Sequence, residues 1–409
     1  MTQQSLYPDV VAVRADVPRD ERLFFEIVGP ALANEPLTFL CGDREYRYGS
    51  GADSTVVRIN DTDAFRRMLT QGNLGLGECY MDRKVEIVHG TLEGLLVSLV
   101  RAEVPKFIRA NPASLLKLAG VHLRNLVRGR YGNVQSHYDV GEELFECLLD
   151  PAMTYSCGYV ESETDSLAQL QINKFDRICR KLRIKPGDRL LDIGCGFGGL
   201  LIYAAERYGA RCTGITISRH QHRRAQANAA AKGLSDRVEI LFASHKTLPG
   251  QFDKIASVGM MEHLTKRDLP VFMRNVKNAL VKDGLALLHT IGCNTGVNRH
   301  DPFVQKYIFP GSRAPKLSEL SETLEWNDLA IQDVENIGRH YGPTLRAWNE
   351  NFQKNYSKLD HNKYDSRFKR MWEYYLCCSI AAATVSEAAV YQVLAANSHK
   401  IYAMPYHRV

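Results

Sequence analysis

The stretch LLDIGCGFGG, from Leu190 through Asp192, Gly194, Gly196, Phe197 and Gly198 to Gly199, decides how this chain folds. An apolar run ending in an acid and then in glycines reads as a strand that turns sharply into a helix. Two readings of the same letters compete. Taken through Gly194, Gly196 and Gly199 the pattern is G-x-G-x-x-G, a dinucleotide turn; taken from Asp192 it is D-x-G-x-G, which suits a different nucleoside. In both, free backbone N–H groups and the positive end of a helix dipole sit at the C-terminal edge of a parallel sheet, where nucleoside ligands bind.

The residues that follow separate the two. A dinucleotide site calls for an Asp or Glu at the end of the next strand, about twenty residues on, to hold the ribose hydroxyls. Here that strand reads RCTGITIS and carries no acid near Ile217. Asp192, by contrast, is placed to orient the turn and to meet the cationic aminoacyl end of S-adenosylmethionine. Beyond it, DRLLDIG, ARCTGITIS, VEILFA, FDKIASVG and LALLHTIG read as strands. Helical stretches from about Gly199, through HQHRRAQANAAAKG and near 270–280 separate them. That alternation predicts an α/β fold with a doubly wound parallel sheet.

Upstream the pattern changes. EPLTFLCGDREYRYGSGADSTVVRIND alternates apolar and polar residues between Gly and Asp punctuation, and DTDAFRRMLTQG reads as a capped short helix. The expectation is a small α+β domain over 1–125 and a catalytic domain over 126–409. Two domains also follow from length, since 409 residues exceed the size at which one core keeps growing.

No run of eighteen apolar residues occurs, and MTQQSLYPDVVAVRAD lacks the basic and apolar regions of a secretory signal, so the expectation is a soluble protein kept in the cytoplasm. Ten cysteines without C-x-x-C spacing indicate neither a metal site nor a disulfide framework. A net charge of +6 is too mild to call for nucleic acid. Its distribution is uneven: residues 101–130 carry seven Arg or Lys against one Glu, interleaved with leucines at helical spacing. That stretch is either a solvated connection or a surface for anionic lipid headgroups.

Eight segments in order carry a family resemblance: QGNLGLGECYMD (71–82), HYDVGEELFECLLDPAMTYSCGYV (137–160), LLDIGCGFGGL, GITISRHQ (214–221), SVGMMEHL (257–264), LLHTIG (287–292), KYIFPG (306–311) and the segment ending in Tyr341. Together they resemble the cyclopropane-fatty-acid synthase family of S-adenosylmethionine-dependent enzymes. The resemblance implies a Rossmann-like, seven-stranded class I methyltransferase sheet with a smaller N-terminal domain. It also implies a homodimer acting on unsaturated phospholipid chains at the inner face of the membrane, with no nucleic acid partner. By the same resemblance Tyr155, Ser156, Asp192, Gly194, Gly196, Gly198, Thr216 and Gln221 surround S-adenosylmethionine, with Thr216 and Gln221 in place of the missing acid. Two departures stand out: Phe197 replaces the family's Trp, and Ala243-Ser244-His245 stands where relatives carry an acid or aromatic near the adenine.

The acceptor in this family is an isolated alkene, a weak nucleophile with no proton for a base to remove beforehand. Alignment behind the sulfonium methyl must therefore contribute much of the rate. Attack leaves a carbocation that needs water excluded and negative or π-electron density nearby, and loss of a proton from the transferred methyl then closes the ring. The resemblance assigns the base to a bound bicarbonate held by Cys157, Glu262, His289, Ile291 and Tyr341, with Cys157 and Ile291 contributing backbone groups. Three alternatives remain open on sequence: a hydride shift giving a methylene-branched chain, an NAD(P)-dependent oxidoreductase, and a non-catalytic lipid-surface protein.

Overall fold

The computed structural model describes residues 17–51, 54–128, 140–293, 301–385 and 388–398. Arg130 of the basic stretch, the opening His137-Tyr138-Asp139 of the second motif and the C-terminal tail lie outside them. The chain forms two compact units.

The smaller unit is built on a four-stranded sheet of β1 (Leu37–Cys41), β2 (Arg44–Tyr48), β3 (Thr55–Ile59) and β4 (Val85–His89), in the order β2-β1-β3-β4. Its core is aromatic: Phe24 and Phe25 from the helix Arg19–Val28 meet Phe39, Tyr46 and Phe65. Rather than ending near residue 125, this unit also takes in 301–310 and 358–385. The helix Ser366–Thr384 explains why: it buries Phe368, Met371, Tyr374 and Tyr375, and its Tyr374 hydroxyl donates to the Asn73 side chain at 2.6 Å. An apolar helical stripe shows in sequence, but not which domain it covers.

Two of the eight motifs meet here and do structural work. At Gly77 a side chain would collide with Phe303 and Tyr374. Glu78 accepts from Arg67, from Lys306 Nζ at 2.7 Å and from the Tyr307 hydroxyl at 2.9 Å. QGNLGLGECYMD and KYIFPG thus form one buried polar junction.

The larger unit holds the doubly wound sheet: β5 (Arg189–Ile193), β6 (Arg211–Thr216), β7 (Val238–Phe242), β8 (Phe252–Val258), β9 (Leu280–Gly292), β10 (Ala330–Asn336) and β11 (Ala389–Ala396). Their order is β10-β11-β9-β8-β5-β6-β7, with β11 antiparallel to both neighbours and the β5 to β9 contacts parallel. Apolar residues cover both faces of these strands, as a sheet sandwiched by helices requires. Leu190, Leu285 and Leu287 pack with the helices Leu167–Leu182 and Gly199–Tyr208, whereas Leu191, Ile193 and Leu288 pack with Asp268–Ala279 and Leu317–Glu325. The chain runs outward from β5 through β6 to β7, then returns to β8 on β5's other side. The crevice at that reversal is where ligands bind in such sheets.

Candidate active site

A cavity of about 550 Å³ opens at the β5/β8 reversal. After β5 the backbone turns through Gly194, Gly196 and Gly198, all with positive φ (84°, 54° and 85°), a region that side chains with a Cβ rarely adopt. The amides of Gly194 and Cys195 donate to the Ile215 carbonyl at 3.0 and 3.1 Å, tying the turn to β6. Behind it, Gly214 is required by close approach: a Cβ there would lie 2.5 Å from Leu201 and 2.7 Å from the Cys195 sulfur.

Asp192, Gly194 and Gly196 line the cavity, as do Tyr155, Ser156, Thr216 and Gln221. Gly198 does not: a Cβ there would face Ala225 at 3.4 Å, so its role is to let the next helix start. The Thr216 hydroxyl donates to Gln221 Oε1 at 2.8 Å and accepts from the Ser218 amide at 3.1 Å, which holds the pair in place. Phe197, Ala243 and His245, the departures from the family pattern, also line the cavity.

Asp192 is 3% exposed, and its Oδ1 is buried without a hydrogen-bond partner. Burial pushes its carboxyl up to about 7. An orphaned acid beside a glycine turn fits the ammonium of S-adenosylmethionine, and the positive-φ glycines leave the room its nucleoside needs.

Behind the cavity lies a second cluster. Cys157, Ile337 and Val390 are buried together, with Tyr159, Ile291 and Tyr341 packed against them. The Cys157 thiol points at the Gly158 carbonyl, 3.2 Å away, and burial pushes it up to about 12, so it stays protonated. Glu262 joins through the backbone of β9: its Oε1 accepts from the Ile291 amide at 2.6 Å, while its Oε2 is buried without a partner. Burial raises this carboxyl to about 7, against the lowering effect of hydrogen bonds from the Ile291 amide, its own amide and the Thr290 hydroxyl. His289 stands two residues before Ile291, on the same sheet face, opposite Gln392 of β11. Its Nδ1 is 3.3 Å from the Gln392 amide nitrogen, and burial lowers its pKa to about 3, leaving the ring neutral.

None of these five residues lines the cavity, but Cys157, Glu262 and His289 adjoin residues that do. Cys157 follows Ser156, Glu262 precedes His263, and the His289 carbonyl accepts from the cavity-lining Gly259 at 2.9 Å. The Ile291 amide hydrogen-bonds Glu262 rather than an open position.

Residues 127–393 match the family model described as mycolic acid cyclopropane synthetase. The chain belongs to this family. It is 37% identical over 347 residues to the cyclopropane-fatty-acyl-phospholipid synthase of Escherichia coli K12, covering 84% of this chain and 88% of that one. To the tuberculostearic acid methyltransferase UfaA1 of Mycobacterium tuberculosis H37Rv it is 32% identical over 362 residues, 82% of this chain and 81% of that one. The crystal structure of the mycolic acid cyclopropane synthase CmaA1 complexed with SAH and CTAB superposes with a TM-score of 0.59 at 29% identity, covering 64% and 97% of the two chains. A member of this family with this sheet is an S-adenosylmethionine-dependent C-methyltransferase, which removes the oxidoreductase and the non-catalytic readings.

Several residues of this methyltransferase site escaped the sequence reading. His263 lines the cavity although no sequence pattern singles it out. Lys174 also lines it and is fully buried, with Nζ donating to Ser156 Oγ at 2.8 Å and Gln171 Oε1 at 2.5 Å. A signal was present: Leu170, Lys174 and Ile178 fall at i, i+4 and i+8, which puts a lysine in the buried stripe of its helix.

Proposed function

We propose that the protein transfers a methylene unit from S-adenosylmethionine to the cis double bond of an unsaturated phospholipid acyl chain, closing a cyclopropane ring, with bicarbonate as the base. The observation that carries this reading is the buried, unpartnered Oε2 of Glu262, whose other oxygen is held by the amide of Ile291, a residue packed with Cys157 and Tyr341. A buried carboxylate oxygen without a donor is costly, and an anion that carries one acidic hydrogen of its own fits that position.

S-adenosylmethionine supplies an electrophilic methyl group, and bicarbonate, when bound, an acceptor for the proton lost as the ring closes. The protein's own residues do the rest. Asp192 and the glycine turn seat the cofactor. Glu262, fixed by the Ile291 amide, and neutral His289, fixed by Gln392, orient hydrogen bonds into the cluster. Cys157, Ile337 and Val390 keep it dry, which strengthens every polar contact inside.

Delivery of a membrane lipid is supported by the smaller unit. Its helix Pro112–Arg128 buries Ser114 and Val121 but leaves Leu116 and Leu123 76% and 66% exposed, beside Lys117 and Arg124. Such a face suits an anionic bilayer surface. Among the described residues no helix is long and apolar enough to cross a membrane.

The test is purified protein with S-adenosylmethionine and monounsaturated phospholipid vesicles, in buffer with and without bicarbonate. An acyl product heavier by one CH₂ that resists hydrogenation, formed only with bicarbonate, is expected. The likeness to a tuberculostearic acid methyltransferase favours one second reading, a methylene-branched chain. That product hydrogenates readily, and its appearance would refute ring closure.

A further inference from the structure

We propose that Lys174 and Asp192 form a slot for a zwitterion, in which Lys174 holds the carboxylate of the cofactor's aminoacyl group and Asp192 holds its ammonium. The inference rests on the cavity being the S-adenosylmethionine site and names the residue that reads the end of that ligand.

Two opposite charges face the same cavity and attract each other across it, yet neither is hydrogen-bonded to an opposite charge. Lys174 lies on the helix Leu167–Leu182 and is 0% exposed; Asp192 lies on β5 and is 3% exposed. An ammonium has three donors. Lys174 places two of them on neutral acceptors, Ser156 Oγ and Gln171 Oε1. Asp192 Oδ1 has no donor at all. Buried charges left in this condition are strongly penalised unless a partner arrives.

The titration of both groups agrees with that geometry. Burial pulls Lys174 down to about 8 and pushes Asp192 up to about 7, each towards its neutral form. A lysine serving only to brace the fold would be expected to hydrogen-bond a carboxylate; Lys174 feels Asp150 and Asp192 but among the described residues hydrogen-bonds neither. A ligand bearing one carboxylate and one ammonium satisfies both groups at once. Gln171 adds rigidity, since its amide also donates to the Ser156 carbonyl at 3.0 Å and so fixes the segment from which the slot is built.

Calorimetric titration of the full-length protein with three probes tests this: S-adenosylhomocysteine, its decarboxylated amine S-adenosyl-3-thiopropylamine, and 5′-methylthioadenosine, which lacks both charged groups. The wild type should bind S-adenosylhomocysteine roughly tenfold to a hundredfold more tightly than the amine, the range of one charged hydrogen bond. Lys174→Met should erase that preference, weakening S-adenosylhomocysteine while leaving the amine equal or tighter, because a like charge has gone. Asp192→Asn should weaken both ammonium-bearing probes and spare methylthioadenosine. If the wild type itself binds the amine as well as S-adenosylhomocysteine, the slot is refuted without any variant. Equal weakening of all three probes by Lys174→Met would assign the lysine to bracing Ser156 instead. Binding of none of them would remove the cofactor site, and the slot with it.

Discussion

Replacing Glu262 with Gln separates binding, chemistry and stability in one variant. The amide keeps an oxygen to accept from the Ile291 amide, the contact that the carboxylate now makes at 2.6 Å, and puts an NH₂ where Oε2 stands unpartnered. Cofactor affinity should therefore stay within about threefold, since Glu262 does not line the cavity. Turnover should fall by roughly two to three orders of magnitude, the usual cost of losing one preorganised polar group. Stability should move the other way. The carboxyl is raised from 4.5 to about 7 in the folded chain, so above pH 7 the ionised wild-type side chain costs about 3 kcal/mol that a neutral amide does not. The sign follows from the raised value: the folded state favours the protonated form, and that advantage is fully present below pH 4.5 and lost as pH rises through 7. Urea unfolding of both proteins between pH 4.5 and 8.5 should show Glu262→Gln gaining on the wild type as pH rises. Any constant offset reflects the NH₂ and not ionisation. A stability difference that does not vary with pH would refute the burial argument. Normal turnover with collapsed cofactor affinity would instead move Glu262 into the S-adenosylmethionine site.

Gly196→Val should cost cofactor binding at least a hundredfold while the protein still folds. Its Cβ would meet nothing within 4 Å and so enter the open cavity, at a positive φ of 54° that adds strain of about 1–2 kcal/mol; unchanged affinity for S-adenosylhomocysteine in calorimetry would reject the turn as the binding site. Combining Leu116→Ser and Leu123→Ser should reduce sedimentation with anionic vesicles by at least tenfold, since each removes an exposed apolar side chain worth on the order of 1–2 kcal/mol when buried in lipid. In the wild type, added salt should weaken that association too; full, salt-independent association of both proteins would reduce this helix to a connection.

The larger unit was legible because its rules are local. LLDIGCGFGG, the strand and helix alternation and the missing acid after RCTGITIS each constrain a few residues, and together they fix a parallel sheet and its ligand edge. What stayed hidden depends on the third dimension. Lys174 reads as one more charge on a charged helix until Leu170 and Ile178 are seen to flank it within the buried stripe. The Ile291 amide carries no letter of its own, so its hydrogen bond to Glu262 could not be read in advance. Gly198 fits the motif as well as Gly196 does, and only the position of Ala225 tells their roles apart. The smaller unit's use of 301–310 and 358–385 is likewise a matter of which surface an amphipathic helix covers.

The short segments Ser156-Cys157 and Gly259–Leu264 each run along the partition between the cofactor cavity and the buried cluster behind it. Ser156, Met260 and His263 face the cofactor cavity, while Cys157 joins the buried cluster beyond it and Glu262 reaches the β9 backbone there. Neighbouring positions in the chain therefore answer to different constraints. On the proposed reading, variation confined to the far side would retune how the reaction ends, ring or branch, without touching how it starts. Variation on the cavity side would do the reverse. Two relatives, both similar to this chain over more than four fifths of its length, are named for different products.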